Sequence, residues 1–134
     1  MSSFVLNEEN LGKINDLLEK GLMDIGVHQA MVIDMGGNIV LSLNKGGSMQ
    51  DQDQYSLAAL AAANFGAMSS MGKLVGEDDF SLLFHKGQKE NFCFSKISDD
   101  FLLINIFSNE LALGLLRLKI TEIVDRLKGI LEKK

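Results

Sequence analysis

The feature that most constrains this chain is a run of nineteen residues without a charged side chain, from Gln54 to Gly72. A run of this length is long enough to cross a bilayer as a helix. We reject a membrane span because Tyr55, Asn64 and three serines interrupt the run, and because alanine and glycine, which make up most of the remaining residues, transfer weakly into lipid. The run therefore predicts a long helix of a globular domain, with no side suited to solvent.

Composition limits the size of the fold and the kinds of partner. A length of 134 residues predicts one domain, and 46% hydrophobic against 23% charged residues argues against intrinsic disorder. The net charge of -5 repels polyanions, so we expect neither nucleic acid nor an anionic membrane surface as a partner. We also expect no insertion into a membrane.

Cysteine and histidine are scarce. The single cysteine, Cys93, excludes a disulfide scaffold, and the opening MSSFVLNEEN lacks the pattern of a secretory signal, so we expect a cytoplasmic protein. Cys93, His28 and His85 together give at most three cysteine or histidine ligands, whereas a structural zinc site needs four. We predict no metal site.

The first half of the chain alternates between helical and strand patterns. Residues 8–22 carry leucine and isoleucine at helical spacing behind Asn7, a candidate N-cap, and predict an amphipathic helix. The segments VHQAMVID and NIVLSL, joined through Gly36-Gly37, predict a β-hairpin. A polar loop should follow, with Asp51 or Asp53 as the N-cap of the uncharged helix.

Three further strands are predicted after that helix. The segments FSLLFHK and ENFCFSKI flank Gly87-Gln88, and FLLINIF follows Asp99-Asp100, which predicts an antiparallel run. Residues 98–107 are almost all apolar, so their strand should be central and covered on both faces. A last amphipathic helix should begin near Ser108 or Asn109. The order helix, two strands, helix, three strands, helix predicts an α+β fold.

The uncharged helix has two unlike sides in a helical projection. One side carries the larger apolar residues, which we expect to pack on the sheet: Leu57, Leu60, Met68, Met71 and Val75, with Phe65 at its edge. The opposite side carries small residues where a monomer would expose lysine and glutamate: Ala59, Ala62, Ala63, Gly66, Ser69 and Ser70. An exposed uncharged face marks a contact surface, so we predict that this side binds a partner or a second copy. The alternative is burial under a neighbouring helix of the same monomer.

No arrangement typical of catalysis is evident. The segment GAMSSMGKL at 66–74 resembles a phosphate-binding loop, but its glycine spacing is wrong and no serine or threonine follows the lysine. His85 has no serine or carboxylate placed to form a relay, and Cys93 fits a small buried side chain better than a nucleophile. The acidic residues at 77–79 and 99–100 lack calcium-binding spacing. We therefore predict no catalytic residue and no cofactor.

Several segments together resemble the roadblock/dynein light chain superfamily. They are DMGGNIV, SLAALAAANFGAMSSMGKLVGEDDF, FHKGQKENFCF and LGLLRLKITEIVDRL, and the likeness covers residues 6–132, which we take as one roadblock domain. Within the superfamily the pattern is most similar to the MglB-type regulators of the Ras-like GTPase MglA.

This resemblance implies a fold, an assembly and a partner. The fold would be a single domain with a five-stranded antiparallel sheet flanked by helices, and the assembly a homodimer joined through the middle helix and the strand after it. The partner would be a Ras-like small GTPase of the MglA type. The residues carried over for the helix surface are Ala59, Ala62, Ala63, Gly66, Ala67 and Ser70, and those for strand pairing across the dimer are Phe80, Leu82 and Phe84.

The leading hypothesis is thus a non-enzymatic regulator of a bacterial small GTPase, acting in cell polarity or in gliding or twitching motility. Two alternatives stay open: a roadblock scaffold or light-chain-like module without effect on GTP turnover, and a ligand sensor or an enzyme with a site assembled across the dimer. Both arginines, Arg117 and Arg126, fall in the last predicted helix and not on a protruding loop. Any stimulation of hydrolysis should therefore work by holding the switch segments of the GTPase and not through an arginine finger.

Overall fold

The computed structural model describes residues 7–45, 49–77 and 81–132. These residues form three α-helices and five strands, with a short 3₁₀ turn at Met23–Ile25. The elements in chain order are α1 (Glu8–Gly21), β1 (Gln29–Asp34), β2 (Ile39–Asn44), α2 (Asp51–Leu74), β3 (Leu82–His85), β4 (Glu90–Lys96), β5 (Phe101–Ser108) and α3 (Leu113–Leu131). The predicted α+β fold and its order of elements are confirmed.

The strands form one antiparallel sheet in the order β2-β1-β5-β4-β3. Strand β5 pairs with β1 on one side and with β4 on the other, and seven of its eight residues are buried. Its predicted central position is therefore confirmed, and its apolar composition follows from cover on both faces. Strands β2 and β3 form the two edges of the sheet.

Helices cover both faces of this sheet. Successive side chains of a strand point to opposite faces, so neighbouring residues of β1 enter different layers. Ala30 and Val32 pack in the cluster formed with α1 and α3, whereas Met31 and Ile33 pack in the cluster formed with α2. Two helices thus share one face, and α2 alone lies on the other.

Local signals explain the first helix and the hairpin. The Asn7 side chain accepts a hydrogen bond from the Asn10 amide at 2.8 Å, so Asn7 is the predicted N-cap of α1. In the hairpin turn, Asp34 Oδ1 accepts hydrogen bonds from the amides of Gly36 and Asn38. Both predictions, the amphipathic helix and the hairpin, are confirmed.

The predicted starts of the other two helices are wrong. Helix α2 begins at Asp51 behind Gln50, so both aspartates lie within its first turn, where they favour the positive end of the helix dipole. Helix α3 begins at Leu113, because β5 continues to Ser108 and the Asn109 side chain is hydrogen-bonded to β4 and does not cap the helix. Asn109 Oδ1 accepts a hydrogen bond from the Asn91 side chain at 3.0 Å and so ties the end of β5 to β4.

Helix α3 presents the apolar face that its sequence predicts. Its buried residues are Leu116, Ile120, Ile123, Leu127 and Leu131. Helix α1 approaches this helix closely at Gly21, where an added methyl group would overlap the Ile123 side chain. Among the helices in the described part of the chain, none combines the length and hydropathy that a membrane span requires.

Candidate functional site

Helix α2 faces the sheet with a different side from the one predicted. Its buried residues are Ala58, Ala61, Ala62, Phe65 and Gly72. Of the larger apolar residues expected on the sheet, Leu60 is 69% exposed, Met71 is 58% exposed and Val75 is also exposed, whereas Leu57 does pack against the cluster below α2. The prediction that this larger apolar side packs on the sheet is therefore wrong for Leu60, Met71 and Val75. It is confirmed for Leu57 and for Phe65, which was predicted at the edge of that side and is buried.

The physical reason lies in the absence of charge along the run. A helical projection finds the core side of a helix mainly from the contrast between polar and apolar stripes, and this helix offers none. Small side chains instead let the α2 backbone approach the turn between β1 and β2 closely. A methyl group added to Gly37, which has φ +88°, would lie 2.9 Å from the Cα atom of Ala59. The alanines of α2 thus allow close packing inside the monomer.

Ala62 requires a specific correction. It was predicted on the exposed small-residue face, but it is buried in the cluster that α2 forms with the sheet. It is therefore not available to a partner in this conformation. The other helix residues predicted for the interface are at least partly exposed: Ala59, Ala63, Gly66, Ala67 and Ser70.

The exposed side of α2 also carries large apolar residues, of which Leu60 and Met71 were predicted to pack on the sheet. Leu60, Met71 and Leu74, the last being 87% exposed, recur at helical spacing and flank the predicted small residues. No side chain between residues 54 and 72 is charged. We call the stripe formed by Leu60, Ala63, Gly66, Ala67, Ser70, Met71 and Leu74 the α2 surface.

Strand β3 presents an unpaired edge at the end of the sheet. Leu82 is half-buried, and Phe84 is 37% exposed with its ring stacked on Phe107 at a centroid distance of 6.0 Å. Both side chains point to the face covered by α1 and α3, whereas Leu83 packs in the α2 cluster. Phe80, the third residue predicted for strand pairing, lies outside the described residues.

An exposed aromatic group extends the apolar area of the α2 face. Phe92 is partly exposed on β4 and stacks on Phe94 with ring centroids 6.2 Å apart. His85 on β3 tilts against Phe94 at 5.6 Å. His85 is exposed, and its ring packs on an aromatic neighbour.

Groups with possible chemistry lie apart from one another. Cys93 is buried, and this burial raises the pKa of its thiol above the ordinary value, which makes it a poor nucleophile. His28 Nδ1 lies 2.7 Å from Glu90 Oε1, a pair that joins the ends of β1 and β4 across β5. The described ranges contain no group of three or more histidine, cysteine, aspartate or glutamate side chains able to hold a metal ion.

Both arginines lie on the face of the sheet opposite α2. Arg117 and Arg126 are exposed on α3, which packs with α1 on that opposite face. Helix α2 belongs to the other cluster, so the sheet separates both guanidinium groups from the α2 surface. The exposed stripe of α2 from Leu60 to Met71 is uncharged, which suits protein binding.

Comparison with known proteins agrees with this geometry. MglB from Myxococcus xanthus is 33% identical in sequence; the match covers 91% of this chain and 97% of that one, with a TM-score of 0.83. The gliding protein MglB from Thermus thermophilus is 25% identical over 100% of this chain and 99% of its own, with a TM-score of 0.88. An MglB with a tetrameric arrangement is also 25% identical, over 99% of this chain and 98% of its own, again with a TM-score of 0.88.

No curated protein sequence matches the chain. The family model of the Roadblock/LC7 domain matches residues 13–107, which is more than half of the chain. The resemblance found in the sequence is thereby confirmed, and the chain belongs to the Roadblock/LC7 domain family.

Proposed function

We propose that this protein is a homodimeric, non-enzymatic regulator of a bacterial Ras-like small GTPase of the MglA type, acting in cell polarity or in gliding or twitching motility. The observation that carries the proposal is the α2 surface, an uncharged helical stripe with exposed leucine and methionine in a chain similar to MglB proteins. Monomeric proteins rarely expose such a continuous apolar stripe, and its usual role is to bind another protein.

The proposed dimer uses two neighbouring features of the fold. Small residues such as Ala63, Gly66 and Ala67 permit a second helix to approach closely, and the exposed leucines beside them supply apolar area. The free edge of β3 can pair with the same strand of a second copy and so remove an unpaired strand edge from solvent. We propose that the part of the α2 surface left uncovered by the dimer binds the GTPase.

The proposed action on the GTPase is conformational. Arg117 and Arg126 lie across the sheet from the α2 surface, so a GTPase bound there is not within reach of either guanidinium group. We propose that binding favours the arrangement of the switch segments in which the GTPase's own groups are competent for hydrolysis. This mechanism needs no catalytic residue from the present chain.

The first experiment measures the mass in solution by light scattering on a size-exclusion column. We expect the wild type to be a dimer of about twice the 14.7 kDa monomer mass. This dimer should form a complex with an MglA-type GTPase in one nucleotide state. Gly66→Arg places bulk and charge where an added Cβ meets no atom within 4 Å beyond the adjoining backbone of its own helix, so the fold should persist while the dimer or the GTPase complex is lost. A wild type that stays monomeric and ignores both nucleotide forms would contradict the proposal.

A matched control uses the other side of the sheet. Gly12 in α1 is also exposed, and an added Cβ there likewise meets no atom within 4 Å. Gly12→Arg should therefore leave both the dimer and GTPase binding intact. If Gly12→Arg and Gly66→Arg disrupt assembly equally, the α2 surface is not the specific site.

A kinetic experiment separates regulation from scaffolding. The rate of GTP hydrolysis by the GTPase is measured with and without this protein, and a regulator changes the rate whereas a scaffold binds without changing it. Replacing both Arg117 and Arg126 by alanine should retain most of any stimulation. A loss of more than about a hundredfold would indicate an arginine finger and refute the conformational mechanism.

A further inference from the structure

A groove of about 610 Å³ runs between α1 and α3 on the face of the sheet opposite the α2 surface. Its apolar part is formed by Leu17, Ile123 and Ile130, all of them aliphatic. The volume lies in the range of ligand-binding clefts, and residues of both helices line the groove. It shares no residue with the α2 surface.

The walls of the groove carry an excess of positive charge. Four basic side chains line it against only two acidic ones, although the whole chain has a net charge of -5. Lys13 is paired with Glu9 at 3.6 Å, and Lys119 is paired with Glu122 at 3.8 Å. Within the described residues, no carboxylate lies within 4 Å of Lys20 or Arg126. Two cations therefore remain available beside an aliphatic floor.

We propose that this groove binds an acidic amphipathic helix of a partner protein. Aliphatic side chains at helical spacing on such a helix would pack on the half-buried Leu17 and Ile130, which lie beside the buried Ile123, and its flanking carboxylates would pair with Lys20 and Arg126. Arg126 can hold a carboxylate through two parallel hydrogen bonds, which favours carboxylates over a neutral surface. Because the sheet separates the groove from the α2 surface, the two sites can be occupied at the same time.

The aliphatic floor argues for a peptide rather than a small anion. A site for a small anion needs several converging donors, whereas this groove offers two unpaired cations beside an apolar strip. A membrane is disfavoured because the groove is concave and the net charge of the chain repels anionic lipids. A helix with both leucines and glutamates satisfies the apolar and the charged parts together.

The test uses a fluorescent synthetic helix of about 18 residues, roughly 27 Å long, with leucine at helical spacing and glutamate beside it. Binding to the full chain is followed by anisotropy. The double variant Lys20→Glu/Arg126→Glu should bind at least about tenfold more weakly, and added salt should weaken wild-type binding. Both side chains are exposed, so the variant should keep the wild-type circular dichroism spectrum.

Lys128→Glu is the matched control, because Lys128 is an exposed cation of α3 that lines a different groove. It should change the affinity less than about twofold, since its charge lies outside the contact. Two control peptides complete the assay: one has lysine in place of glutamate, and the other has the same composition in scrambled order. Neither should bind measurably.

Several results would overturn the proposal. Equal binding of the scrambled or lysine peptide would remove the requirement for an acidic amphipathic helix, and unchanged binding by the double variant would exclude the groove. A lower solution mass of the double variant would mean that the occupant is a second copy of this chain. Recruitment to phosphatidylglycerol vesicles through the same two residues, without peptide binding, would point to a lipid surface. The assay contains no GTPase, so its outcome is independent of the function proposed for the α2 surface.

Discussion

The two faces of the sheet use apolar residues in opposite ways. Under α1 and α3 most large aliphatic side chains are buried, as with Leu18 and Leu127, although Leu115 and Leu118 of α3 are exposed; the charged side chains there are at least partly exposed. Under α2 the small alanines are buried, and large residues such as Leu60 and Met71 are exposed. The first face buries most of its large apolar residues within the monomer, whereas the second leaves Leu60, Met71 and Leu74 without cover. This difference separates the residues that stabilise the fold from those left for a partner.

We expect the largest effect when one leucine on each face of the sheet is replaced by alanine. Leu127→Ala removes a fully buried side chain of α3 and should lower the free energy of unfolding by about 2–5 kcal/mol. Leu60→Ala, the same change on the exposed side of α2, should alter it by only about 0.5 kcal/mol. Urea denaturation at a protein concentration low enough to avoid association measures both.

The same pair distinguishes folding from association. At high protein concentration Leu60→Ala should weaken the dimer, since it removes apolar area from the α2 surface. A loss of more than about 2 kcal/mol from Leu60→Ala at low concentration would mean that this leucine belongs to the monomer core.

A smaller effect compares two adjacent alanines of α2. Ala62→Leu adds volume to the closely packed layer between α2 and the sheet and should cost about 1–3 kcal/mol of stability. Ala63→Leu adds the same volume on the exposed side and should cost less than about 0.5 kcal/mol. The midpoint of urea unfolding checks both variants. Equal costs at the two positions would contradict the orientation of the helix.

The sequence predicted the α1 and α3 side of the molecule well, because charge and apolar stripes alternate there. In α3 the leucine and isoleucine positions found on one face by spacing are mostly the ones that are buried. In α2 the same method failed because alanine is equally compatible with a core and with a contact surface. The existence of an uncharged face could be predicted, but the assignment of Ala62 and Leu60 to the two sides required the tertiary structure.

Contacts between segments that are distant in the chain also could not be predicted from the sequence. Glu90 lies 62 residues from His28, and nothing near either residue indicates their pairing across β5. The start of α3 was predicted wrongly for a similar reason. Asparagine is a common N-cap, but the side chain of Asn109 accepts a hydrogen bond from Asn91 and does not cap the helix. The groove between α1 and α3 likewise requires the relative placement of Lys20 and Arg126, which are far apart in the chain. Local patterns therefore predicted the elements better than they predicted the surfaces formed between elements.

The smallest expected effect compares two exposed glycines within helices. An added Cβ at Gly66 in α2 or at Gly12 in α1 meets no atom within 4 Å beyond the adjoining backbone of its own helix, so replacing either by alanine should stabilise its helix by roughly 0.5–1 kcal/mol. At low protein concentration the two gains should be equal in urea unfolding. At concentrations where the dimer forms, the gain from Gly66→Ala should shrink, because the extra methyl group holds the second copy away, while the gain from Gly12→Ala should persist. Equal gains at every concentration would mean that no partner backbone approaches Gly66, and the proposed interface would have to lie elsewhere on the chain.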